Sequence, residues 1–105
     1  MVIVELHADH ADCSLLAERT VEGDLVVSGY DRSGWLEERI GRRDYEYFYT
    51  VKAKHVPRVC GLLGVADDDL LDAVRALLAP YGSRASALWR AWLQANDVAW
   101  VFSVG

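Results

Sequence analysis

Two imidazoles, two carboxylates and a thiol fall within seven residues, His7-Ala8-Asp9-His10-Ala11-Asp12-Cys13. Closed into a tight turn, His7, Asp9 and His10 would offer neutral imidazole and carboxylate ligands to a divalent metal. Their spacing matches no defined metal motif, and polar residues in a strand-to-strand turn are what solvent exposure selects. The expectation is a turn without metal or cofactor.

Asp67-Asp68-Asp69 has the composition of a cation site but stands where a helix begins. The positive end of the helix dipole favours carboxylates there, and Asp67 is placed to accept backbone N–H bonds as a cap. Lys52, Lys54, His55 and Arg58 form a basic cluster close to another helix start, a geometry suited to phosphate. No glycine-rich phosphate loop accompanies it, so solvated lysines at a strand end are the expected reading. Ser14, Ser28, Ser33, Ser83, Ser86 and Ser103 lack the elbow of a nucleophilic serine, and the three histidines have no helper at a recognisable spacing. The residues propose no catalytic set.

Binding is better represented. Tyr45, Tyr47 and Tyr49 share one face of a strand, and three phenols on one face imply either a partly open face or a pocket for a small ligand. Trp35, Glu37, Glu38, Asp44 and Glu46 put an aromatic anchor among carboxylates, the composition of a protein-recognition surface for a basic partner.

The elements that position these residues follow from their periods. Asp44 to Lys54 alternates with Tyr45, Tyr47, Tyr49, Val51 and Ala53 on one side, which predicts a long interior strand. Phe48 on its polar side suggests cover on both faces. Three strands precede it, over Val2 to His7, Cys13 to Val21 and Leu25 to Tyr30, with Glu22-Gly23-Asp24 turning the second back on the third. A short helix carrying Trp35, Leu36 and Ile40 separates the third and fourth strands and permits a crossover that would make them parallel.

Beyond Lys54 the period becomes helical. Val56, Val59, Cys60 and Leu63 lie on one face before Gly64; Leu70, Leu71, Val74, Leu77 and Leu78 follow before Pro80; Ala85, Leu88, Trp89, Trp92 and Leu93 form the third face, with Ser83 as its cap. Val98 to Val104 alternates again, with Val98, Trp100, Phe102 and Val104 on one side. The predicted order is βββαβαααβ: one α+β domain, residues 1–105, with a mostly antiparallel five-stranded sheet and C-terminal helices on one face.

A chain of 105 residues supports one core, and 52% hydrophobic residues rule out a disordered polymer. A net charge of −5 repels phosphate backbones, so nucleic acid is not an expected partner. No stretch approaches the ~20 apolar residues that span a bilayer, and Glu5 interrupts the first apolar run before it resembles a leader. Two cysteines, Cys13 and Cys60, fit a reducing cytoplasm better than a disulfide scaffold.

Asp44-Tyr45-Glu46-Tyr47-Phe48-Tyr49-Thr50-Val51, Val56-Pro57-Arg58-Val59, Leu62-Leu63-Gly64 and Trp89-Arg90-Ala91-Trp92-Leu93 resemble a group of small uncharacterised actinobacterial proteins over roughly residues 24–104. That resemblance implies no activity and no site. In size and acidity the chain is also similar to immunity proteins that neutralise polymorphic bacterial toxins, a likeness of class alone. The function expected is a non-catalytic cytoplasmic protein-binding module, an immunity-type inhibitor of a basic toxin. The alternative is a small-molecule-binding protein or enzyme with its pocket over Tyr45, Tyr47 and Tyr49. A homodimer paired through a terminal strand is a third expectation.

Overall fold

The computed structural model describes the backbone of residues 1–7, 11–33 and 44–104, and the side chains of these except at 6, 7, 11, 12, 31–33, 44 and 45. Five strands form one antiparallel sheet in chain order: β1 (Val2–His7), β2 (Ala11–Arg19), β3 (Leu25–Ser33), β4 (Asp44–Val51) and β5 (Val101–Val104). The alternation in each strand decides which side faces the core. Leu15 and Ala17, Leu25 and Val27, and Tyr47, Tyr49 and Val51 are buried on the helix side of β2, β3 and β4. Leu16, Val26, Tyr30 and Phe48, at intervening positions, are only partly buried. Phe48 is therefore shielded by its sheet neighbours, with no described element laid over it.

β3 and β4 pair antiparallel, Leu25 opposite Val51 and Arg32 opposite Asp44, which overturns the parallel crossover. The physical reason is length: a parallel connection needs a dozen or more residues to return to the same end, and residues 34–43 are fewer. The short helix expected there lies outside the described residues. β4 is interior, as its alternation required, with β3 on one side and β5 on the other.

Three helices close the helix-side face: α1 (Val56–Leu63), α2 (Leu70–Leu78) and α3 (Ala85–Ala95). Their 3.6-residue spacing buries Val56, Val59 and Cys60 on α1, Leu70, Val74 and Leu78 on α2, and Ala85, Trp89 and Leu93 on α3. Fully burying each such leucine or valine stabilises the fold by roughly 1.5–3 kcal/mol, whereas helix propensity varies by a few tenths per residue, so packing decides these helices. Gly64 ends α1 in the left-handed region at φ 70°, where its N–H reaches the Cys60 and Gly61 carbonyls.

Two capping expectations fail. α2 and α3 have no side-chain cap; each is entered through a 3₁₀ turn, Asp67–Asp69 and Ala79–Arg84, so neither Asp67 nor Ser83 caps a helix. The aligned turn already supplies backbone partners, and Asp67 is drawn instead to Arg19 at 3.0 Å. α2 packs on β1 and β2, and the turn Ala79–Arg84 packs on β1. This places much of the helical layer's support at the β1 end of the sheet.

Candidate functional site

At the opposite end the sheet stops abruptly. β5 pairs with β4 along one side, Thr50 with Val101, Tyr49 with Phe102, Phe48 with Ser103 and Tyr47 with Val104. All four β5 residues are exposed, Val101 by 51%, Phe102 by 48% and Val104 by 48%. Along the side that carries Val98, Trp100, Phe102 and Val104, Val98 is buried and Trp100 partly so, whereas Phe102 and Val104 are about half exposed. The ladder itself begins only at Val101. An edge strand presents unpaired N–H and C=O groups, and from Val98 to Val104 no charge or proline blunts it.

Beside this edge, on the Phe102 face, lies a cavity of about 360 Å³ lined by Tyr49, Arg90, Trp100 and Phe102. Tyr49 and Phe102, cross-strand partners, pack with ring centroids 5.1 Å apart and planes tilted by 51°. Tyr47 meets Tyr49 edge-on at 5.8 Å. These rings are set from below by Gly29, the β3 partner of Tyr47: a Cβ there would fall 2.1 Å from Tyr47 Cζ. Gly29 lets the Tyr47 ring lie flat over the neighbouring strand and hold Tyr49 upright. On the helix side Trp89 stacks on Trp92 at 5.4 Å, and Arg90, between them in sequence, is exposed and lines the cavity. Arg90 makes no ion pair among the described residues.

Arg19, Lys52 and Arg58, by contrast, have structural partners. Arg19 donates from Nη1 to Asp67 and from Nη2 to the Gly23 carbonyl at 2.9 Å, tying the β2–β3 turn to the start of α2. Lys52 lies 3.5 Å from Asp24, whose other oxygen accepts the Ala53 N–H at 2.7 Å. Arg58 donates to the Asn96 carbonyl at 2.8 Å. Two members of the basic cluster Lys52, Lys54, His55 and Arg58 are thus occupied in joining β4 and α1 to the rest of the fold. Cys13 and Cys60 are not joined to each other in a disulfide. Burial, and then the negative charge of Asp67, push the Cys60 thiol up from its ordinary pKa, the wrong direction for a nucleophile.

Comparison with protein-family models, with curated proteins and with solved structures returned no match.

The structure places the sequence-predicted residues unevenly. Tyr47 and Tyr49 are buried on the helix-side face, at 6% and 8% exposure, and of these two Tyr49 lines the cavity. The side chain of Tyr45 lies outside the described residues. So do Trp35, Glu37 and Glu38, the side chains of Asp44 and His7, and Asp9 and His10; of the acidic surface only Glu46 is described, and it is exposed. Trp100 could be named from the sequence as a companion of the tyrosine stripe in a pocket for a planar ligand, but sequence reasoning missed Arg90 and Phe102. The available signal was the arginine set between Trp89 and Trp92, at a position the helical period sends away from the core.

Proposed function

We propose that the chain is a non-catalytic protein-binding module that engages its partner through β5. One observation carries this reading: Val101 to Val104 is an exposed, apolar, uncharged edge with no described element covering it. Strand addition at such an edge gives affinity through main-chain hydrogen bonds that cost little to organise. The specific form of this reading is an immunity-type inhibitor of a basic toxin. The net charge of −5 and the exposed Glu46 support it, because an acidic field accelerates encounter with a basic protein. Trp35, Glu37, Glu38 and Asp44 would complete that acidic surface.

Affinity capture with the wild-type chain and with Val101→Lys tests the module. A stoichiometric protein held by the wild type and lost by the variant, at equal melting temperature, is the expected result; identical captured sets would overturn it. If the partner is basic, Glu37→Lys with Glu38→Lys slows association and weakens its salt dependence.

A second reading has its own observation. The cavity falls within the roughly 300–1,000 Å³ typical of small-ligand sites and touches Tyr49. Three aromatic rings and one guanidinium among its described lining residues suit a planar anion.

A further inference from the structure

The edge and the cavity share a residue. Phe102 belongs to the open strand and also walls the cavity, with Tyr49 across the ladder and Trp100 two residues before it on the same face. A strand added beside β5 would lie ~4.8 Å away, and its side chains on the Phe102 face would stand next to that ring, every second residue. We infer that β5 accepts an extended segment of another protein as a sixth strand, one of whose side chains carries a carboxylate into the cavity to pair with Arg90. This rests on the protein-binding reading above and names the chemistry of the partner.

Three observations select that chemistry. The strand itself carries no charge, so main-chain pairing alone would accept almost any extended segment. Arg90 provides the discrimination, being a guanidinium beside an aromatic-walled hollow and without an ion pair among the described residues. Its planar fork matches a carboxylate bidentately, and the neighbouring rings reduce the screening an open surface would impose. A second copy of the chain is a poorer occupant, because Val98 to Val104 contains no carboxylate to offer Arg90. A basic partner is compatible with the inference, since it requires one acidic residue in one strand.

The test uses the capped heptapeptide Thr-Val-Thr-Glu-Thr-Val-Thr, its Gln counterpart, and versions of the Glu peptide N-methylated on alternate amides in each of the two frames. Binding is followed by titration, and its location by hydrogen exchange at the Val101 to Val104 amides. The Glu peptide should bind roughly five- to tenfold more tightly than the Gln peptide, as expected for the difference between a hydrogen bond to a charged group and one to a neutral group. Arg90→Gln should close that gap, one N-methylation frame should abolish binding, and β5 amides should gain protection. Equal binding of Glu and Gln peptides with β5 protected would overturn the Arg90 pocket and leave the edge reading standing. Absence of β5 protection with every peptide would overturn both. Binding that survives in both N-methylated frames would assign the cavity to an isolated ligand. A peptide-free dimer in sedimentation, lost in Val101→Lys, would assign the edge to a second copy, and either result would overturn the inference.

Discussion

The two edges of the sheet are built in opposite ways. β1 is defended: its register against β2 shifts between Val2 and Val4, Glu5 places an exposed charge on the strand, and the turn Ala79–Arg84 packs over it while Ile3 and Val4 are buried. A bulge, a charge and a cover are the means by which proteins keep an edge from pairing. β5 has none of these among the described residues, and its four residues are all exposed. Apart from Glu5 and His7 in β1 and Ser103 in β5, both strands are apolar in sequence. Cover by the rest of the fold, more than composition, therefore decides which edge is closed, and an edge left flat, neutral and uncovered is one a partner can use.

The largest effect should come from the closed half. Val74→Asp, on the α2 face that packs toward β1 and β2, places a carboxylate in a fully buried site and should remove roughly 3–5 kcal/mol of stability, read by chemical denaturation. A folded variant with unchanged midpoint would show that α2 does not close that half. Gly29→Ala sharpens the comparison from the other side, because the new Cβ must displace the Tyr47 ring that supports Tyr49 and the cavity wall. A loss of about 1–3 kcal/mol is expected, with altered near-ultraviolet circular dichroism from the moved ring.

Asp24→Ala strips the acceptor from the Ala53 N–H and the partner from Lys52 where β4 ends, and should cost about 1–2 kcal/mol in the same denaturation assay. Val101→Lys should change stability by no more than ~0.5 kcal/mol, since the residue is half exposed, while weakening binding of an added partner strand. Were that substitution as costly as Gly29→Ala, the edge would be packed and the contrast with β1 would fail.

The smallest effect is a pH dependence at Cys60. Its folded pKa lies above the unfolded value because burial and Asp67 disfavour the thiolate. The folded state therefore holds the proton more tightly, so the contribution is fully present below the unfolded thiol pKa of ~8.5 and is lost as pH rises through the folded value. Stability should fall above that pH in the wild type and fall less in Cys60→Ala, measured by denaturant midpoints between neutral and alkaline buffers.

Much of this was legible in the sequence because periodicity carries it. The two-residue alternation of Tyr47, Tyr49 and Val51 and the helical spacing of Leu70, Val74 and Leu78 are imposed by which side must leave water, and the structure buries those residues. Gly64 was readable as a helix stop from its freedom at positive φ. Asp67 and Ser83 misled because a cap is a local option that a preceding 3₁₀ turn makes unnecessary, and Asp67 found a partner 48 residues away in sequence. The alternation of the last residues marked a terminal strand, and β5 is one, although its ladder begins only at Val101. Whether such a strand is covered depends on how far the helices reach across the sheet, which no local pattern records. Arg90 was hidden for the same reason: its significance lies in facing Phe102 and Tyr49, two residues brought to it only by the tertiary fold.

Hydrogen exchange at single-residue resolution on the free protein tests the central claim most directly. An open β5 predicts that alternate amides among Val101 to Val104 exchange close to the rate of an unprotected chain while those bonded to β4, and the interior amides of β3, are protected. Uniform protection of all four, matching β3 in a protein shown to be monomeric, would mean that something already covers this edge, and the binding role proposed for it would be contradicted.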